Sequence, residues 1–145
     1  VGFKFNNAIA NYTPTLLNYF EETTFSATFT QSGGYSQAVT VKATRIGKQV
    51  TLEIPAFTAT STANATIVSG TTDIPARFRP ATENRSVAIV SNNGVSTTLG
   101  AVSFGTGGQI TITASVTGAS FPNSTANCGL SAGGTTTQSF TYRTS

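Results

Sequence analysis

The chain has no histidine, no methionine and no tryptophan, a single cysteine, and few charges: charged residues make up 9% of it, five Asp plus Glu against eight Lys plus Arg. Each shortage closes off a class of chemistry. Without histidine, the usual general base at neutral pH and the commonest transition-metal ligand are both missing. Cys128 alone can form neither an intrachain disulfide nor a thiolate metal cluster, and among its Gly, Ser and Asn neighbours it reads as a small loop residue. Gly105-Thr106-Gly107-Gly108 lacks the lysine and the following helix of a phosphate loop, so it reads as a tight turn. No cofactor or metal site is expected. No stretch approaches the roughly 18 apolar residues of a membrane-spanning helix, and nothing near Val1 reads as a secretory signal. With no initiator methionine, the expectation is a processed start or a piece of a longer protein.

The net charge of +3 comes from cations scattered between Lys4 and Arg143. Nucleic-acid binding needs clustered cations that neutralise several phosphates together, and no such cluster exists. Serine and threonine fill the positions that lysine and glutamate usually occupy at a protein surface. A length of 145 with 38% hydrophobic residues suits one compact domain with its own core.

Period-two alternation recurs from Thr24 to the C-terminus, which predicts an all-β chain. Phe25, Ala27 and Phe29 share a face. Val39, Val41 and Ala43 lead through Arg45-Ile46-Gly47-Lys48 to Val50, Leu52 and Ile54, a hairpin. Val87 and Ile89 lead into Ser91-Asn92-Asn93-Gly94, and Asn-Gly is the strongest short hairpin signal because both central positions of a type I′ turn need positive φ. Val102 and Phe104 precede a glycine-rich turn, and the alternation resumes at Ile110, Ile112, Ala114 and Val116. Phe140 and Tyr142 mark a last strand. Segments 58–69 and 117–137 lack alternation and read as loops. Thr13 as N-cap, Pro14 at the first helical position, and Leu16, Leu17 and Phe20 on one face predict at most one short helical turn over 14–21. About eight short strands in this length predict an antiparallel sandwich or jelly roll.

The adjacent pair Glu21-Glu22 invites a hydrolase reading. Neighbours on an extended chain point to opposite faces, whereas a glycosidase needs two carboxylates facing each other across roughly 5–10 Å. The pair therefore reads as the start of a strand, matched to nearby cations. Glu53 lies on the polar side of its strand, Asp73 precedes Ile74-Pro75, and Glu83 lies in a turn. No Gly-x-Ser-x-Gly elbow or Ser-Lys arrangement is present. Arg77 and Arg79 flank Phe78. On a strand they would share a face able to grip a carboxylated sugar or a phosphate; the alternative pairs them with Asp73, Glu83 or acids of a second subunit.

The stretches LLNYFEETTFSATFT (16–30), ATRIGKQVTL (43–52) and IPARFRP (74–80) resemble, in order and approximate spacing, the C-terminal head domains of phage tail-fibre and tailspike proteins and of fibre-like proteins of some large viruses. The chain departs from that family in reading Thr23-Thr24 where Gly-Thr is frequent, and in having no tryptophan. The resemblance implies a homotrimeric β-sandwich head at the tip of a fibre, on the virion surface and exposed to the extracellular medium. Residues 1–20 would then be the neck or end of the shaft, with Phe3 and Phe5 near the threefold axis, and 21–145 the head. The rest of the fibre would lie N-terminal to residue 1. The resemblance also implies a structural role for Arg79 and attachment to a host cell-surface glycan or protein, with neither nucleic acid nor membrane insertion.

Loops on a rigid scaffold are where such contacts form. The candidates are 58–69, 91–94 and 117–137, with Asn64, Asn92, Asn93, Asn123 and Asn127 as hydrogen-bonding side chains, and Arg77 as the one freer cation. Sequons at Asn11, Asn64, Asn84 and Asn123 are no more than a chain this rich in Ser and Thr produces by chance. The leading expectation is a non-enzymatic attachment head. A purely structural fibre cap or capsid decoration protein, and a glycan depolymerase, are the alternatives.

Overall fold

A computed structural model describes residues 20–32, 35–123, 126–131 and 137–145. The expected neck, its Phe3, Phe5, Leu16 and Leu17, and most of the expected helical turn lie outside these residues. Phe20 and Glu21, expected at the end of that helical turn, belong instead to the first strand.

Among the described residues, ten strands form a single antiparallel sheet that curls on itself into a sandwich, the expected all-β architecture. They are β1 (Phe20–Gln31), β2 (Tyr35–Ile46), β3 (Gln49–Pro55), β4 (Phe57–Thr60), β5 (Ile67–Val68), β6 (Asn84–Asn92), β7 (Val95–Phe104), β8 (Ile110–Thr113), β9 (Asn127–Leu130) and β10 (Thr137–Arg143). The order across the sheet is β10-β3-β2-β1-β5-β8-β7-β6-β9-β4. The short β5 joins the two halves: it pairs with β1 at Thr30↔Val68 and with β8 at Ile67↔Ile112. β3 runs into β4 through Pro55 and Ala56, so the chain crosses from one layer to the other at that bend.

The alternation read from the sequence sets which side chains meet inside. Ala27 and Phe29 of β1, Val39, Val41 and Ala43 of β2, Val50, Leu52 and Ile54 of β3, and Phe140 and Tyr142 of β10 are buried on one layer. They face Val102, Phe104, Ile110, Ile112, Cys128 and Leu130. Aromatic pairs bridge the layers: Phe29 stacks on Phe57 with ring centroids 4.5 Å apart, and Phe104 lies 5.5 Å from Phe140 and 5.2 Å from Tyr142. Such pairs add about 0.5–1.5 kcal/mol each beyond the area they bury.

Side chains also close the curl. Gln138 of β10 uses its amide as a stand-in peptide: its Oε1 accepts the Ile89 N–H at 2.9 Å and its Nε2 donates to the Ile89 carbonyl at 2.7 Å. Buried Tyr35 donates to the Cys128 carbonyl at 3.2 Å, and buried Tyr142 to the Phe78 carbonyl at 2.7 Å.

Three expectations are corrected. Segment 58–69 contains most of β4 and all of β5, and 117–137 contains β9; these strands are only four, two and four residues long, too short to show a readable period. Val87 and Ile89 face outward, and Ala88 and Val90 face the core. The run Val87-Ala88-Ile89-Val90 is apolar on both faces, which leaves its parity open. Packing decides it: a Cβ on Gly100, the cross-strand partner of Ala88, would collide with the Val90 side chain and the Thr113 carbonyl. Finally, Val116 is exposed although it continues the register of Ile110, Ile112 and Ala114, because the chain turns at 115–117 after β8 ends at Thr113.

Candidate functional site

The register of β1 and β2 defines two ends of the sandwich. Phe20 pairs with Ile46 at one end and Gln31 with Tyr35 at the other. At about 3.3 Å per residue, β1 separates them by roughly 36 Å.

Much of the charge gathers toward the Phe20 end. Glu21 pairs with Arg77 and Glu22 with Lys42, each at 3.2 Å. The two glutamates thus engage neighbouring cations at the start of a strand, as expected. Arg45 donates from Nε to the Gly47 carbonyl at 2.8 Å and from Nη1 to the Arg77 carbonyl at 2.6 Å. Arg77 does not lie on a strand. It belongs to a 3₁₀ turn, Ala76–Phe78, that follows Pro75, so Arg77 and Arg79 do not share a strand face. Arg79 donates from Nε to the Ile74 carbonyl at 2.9 Å and packs against Gly108. Among the described residues, the acid that pairs with Arg77 is Glu21, not Asp73 or Glu83. Asp73 instead accepts the backbone N–H groups of Thr28 at 3.1 Å and Gly70 at 2.9 Å, fastening the 70–73 turn to β1.

All three expected loops meet at the Gln31 end. The Ser61 N–H donates to the Ala126 carbonyl at 3.2 Å, and the Ser61 hydroxyl lies 2.7 Å from the Pro122 carbonyl. Ala65 bridges Phe121. The 93–94 turn reaches the same place through Gly94 N–H to the Asn127 carbonyl at 3.0 Å, and the Ser91 hydroxyl donates to that carbonyl at 3.2 Å. Asn93 and Gly94 have φ of 52° and 80°, the left-handed pair that the Asn-Gly signal predicts. Asn64, Asn93, Asn123 and Asn127 are exposed here. Asn92 is partly buried, and its Oδ1 is buried without a hydrogen-bond partner among the described residues. Arg77 lies at the opposite end and does not join them.

Beneath the loops sits a residue the sequence reading missed. Gln31, buried at the end of β1, donates from Nε2 to the Ala65 carbonyl at 2.8 Å, and its Oε1 accepts the Thr62 N–H at 3.1 Å. Its position at the last inward site of β1, where a polar residue follows Ala27 and Phe29, is the only signal that singles it out.

These supports shape a cleft of about 360 Å³ walled by Ala56, Phe57 and Thr58, by Ser91, Gly94 and Ser96 of the hairpin, and by Asn127 and Ser131 of the β9 region. Among the described residues, no charged side chain lines it. Nor does any charged residue fall between Arg85 and Arg143, between Ile54 and Thr72, or between Thr23 and Val41, the three stretches that build this end. That gap was readable in the sequence, but only the topology shows that the three stretches converge.

The titratable groups nearest this end are held neutral. Burial pushes the Tyr35 phenol well above its ordinary range, and burial likewise raises the Cys128 thiol. Among the described residues no group of three or more His, Cys, Asp or Glu is placed to hold a metal ion. The arrangement offers hydroxyls, amides and backbone groups. No protein-family model matches the chain, and no curated protein sequence is significantly similar to it.

Proposed function

We propose that this chain is a non-enzymatic attachment domain, the head of a virion fibre, displayed at the virion surface as a homotrimer and binding a host cell-surface receptor, with a glycan as the leading class. The observation that carries the reading is the polarity of the sandwich. Residues 1–19 join it at Phe20, and the three asparagine-bearing loops gather roughly 36 Å away at the far end. A domain mounted through its N-terminal segment therefore presents those loops outward.

Support for the trimer comes from β6 and β7. Val87, Ile89, Val95 and Leu99 point outward, with Ile89 and Leu99 directly paired; Val87 is 63% and Leu99 61% exposed. A row of large aliphatics on an otherwise hydroxyl-rich surface fits burial against further copies of the chain, since cyclic symmetry presents the same patch on every subunit. Threefold repetition then raises avidity without any new contact.

The test measures adsorption to host cells alongside mass by light scattering. Attachment predicts that Asn64→Ala, Asn93→Gly and Asn123→Ala combined weaken adsorption while the trimer mass is unchanged, and that Leu99→Lys dissociates the trimer. A stable monomer at micromolar concentration overturns the oligomer. Adsorption unaffected by the loop variants favours the structural-cap alternative instead.

A further inference from the structure

We infer that the cleft between β4, the β6–β7 hairpin and β9 binds an electrically neutral oligosaccharide, as opposed to a sialylated, sulfated or phosphorylated one. This rests on the attachment reading for its biological setting, but its chemistry stands on the cleft itself.

The wall residues set the ligand class. Thr58 and Ser96 carry hydroxyls able both to donate and to accept, Asn127 adds an amide with two donors and an acceptor, and the buried Ser91, its proton given to the Asn127 carbonyl, holds that wall in place. A sugar hydroxyl has the same dual character, so matched pairs form without leaving a charge unpaired. Ala56 and Phe57, whose ring stacks on Phe29 of the core, supply the apolar part of the lining. At about 360 Å³ the cleft falls within the range of small-molecule sites.

An anionic ligand would meet a different balance. Removing a carboxylate or sulfate from water is expensive unless a cation or several convergent donors replace the lost hydration. Among the described residues the cleft has no cation, and neither have the chain stretches that build this end. The arginine suited to an acidic sugar, Arg77, sits at the other end against Glu21.

The walls are also fixed before any ligand arrives. Asn127 pairs with Thr60 across β4–β9, and its carbonyl takes both the Gly94 N–H and the Ser91 hydroxyl. A preformed site loses little ordering entropy on binding.

The experiment probes immobilised neutral oligosaccharides ending in galactose, glucose, mannose or N-acetylglucosamine, beside sialylated and sulfated counterparts, with the full chain at low and high salt. The expected result is binding confined to neutral members and unchanged by salt. Asn127→Ala, whose side chain is exposed and outside the backbone pairing, should weaken it about tenfold, the worth of a lost hydrogen bond. Ser96→Arg should abolish it by filling the cleft, and Thr106→Ala at the far end should leave it intact. Binding only to acidic glycans, binding that salt weakens, indifference to both cleft variants, or no glycan bound at all would overturn the inference. In that last case, host-cell adsorption that persists would leave the attachment reading standing on a different receptor. Neutral glycan binding without any host-cell adsorption would uphold the inference and remove the attachment reading.

Discussion

Replacing Gln31 with methionine isolates the contribution of one side chain to the loop end. Methionine keeps the volume, so the cavity contribution is small and the loss is polar. Gln31 makes two committed bonds, Nε2 to the Ala65 carbonyl at 2.8 Å and Oε1 from the Thr62 N–H at 3.1 Å. The Ser61 hydroxyl lies 3.2 Å from the same Oε1, but its single proton is better placed toward the Pro122 carbonyl at 2.7 Å. Each backbone group stripped of its partner costs about 1–3 kcal/mol when buried. Water can reach exposed Thr62, which puts its share at the low end. The expected total is about 2–4 kcal/mol, or a fall in Tm of roughly 6–16 °C at about 3–4 °C per kcal/mol for a domain of this size. Urea unfolding measures the total, and amide exchange localises it: protection should fall first at 61–66 and 121–123, while the β1–β2 and β2–β3 ladders keep theirs. A loss under about 0.5 kcal/mol, the level of an ordinary surface substitution, would refute the claim that Gln31 holds the loops together.

Other perturbations separate the remaining supports. Gly70→Ala places a methyl group on the Asp73 carboxylate, expelling it from the Thr28 and Gly70 N–H groups; a loss of about 1–3 kcal/mol is expected in urea unfolding. Gly129 has φ of 149°, and a Cβ there would overlap the Phe57 carbonyl. Gly129→Ala should therefore part β4 from β9 at a cost of about 1–3 kcal/mol, seen as loss of amide protection at 57–60 and of ligand binding. Alkaline titration tests the buried phenols. Burial raises Tyr35 and Tyr142, so each keeps its proton in the folded chain after the unfolded chain has lost it near pH 10. The folded state then binds more protons, and the tyrosines' contribution to stability, unchanged below about pH 10, falls by about 1.4 kcal/mol per tyrosine per pH unit above it. Tyr142→Phe should shallow that slope by about half, followed by tyrosinate absorbance and circular dichroism together.

The class of fold was legible because alternation in β1, β2, β3, β8 and β10 matches their burial almost residue for residue. Period two is a strong signal when one face is apolar and the other is threonine. It failed where that contrast disappears. β4 and β9 are short and built largely from small or hydroxyl-bearing residues, and β6 is apolar on both faces, so tertiary packing alone decides which side turns inward. The loop asparagines were legible as loop residues, and Asn93-Gly94 even as a turn type, because those depend on local backbone chemistry. Their convergence was not, because it depends on how the curl of the sheet brings the ends of β1, β4, β6 and β9 together. Arg77 was misplaced for a related reason: Pro75 starts a 3₁₀ turn whose side-chain directions differ from those of the strand that alternation around Phe78 suggests.

The division of labour at the loop end follows from where its hydrogen bonds originate. The loops are fixed by Gln31, by Ser61, by the backbone of Asn127 and by the stack of Phe29 on Phe57, all beneath the surface or within the main chain. The exposed side chains of Asn64, Asn93 and Asn123 stand above these supports, and of the three only Asn93 is constrained, by its positive φ. A surface built this way can change its recognising groups at a cost near that of ordinary surface substitutions, while the framework that positions them stays fixed. Charge is arranged with the same economy. Among the described residues the ion pairs lie toward Phe20, and the far end relies chiefly on hydroxyls and amides for its hydration.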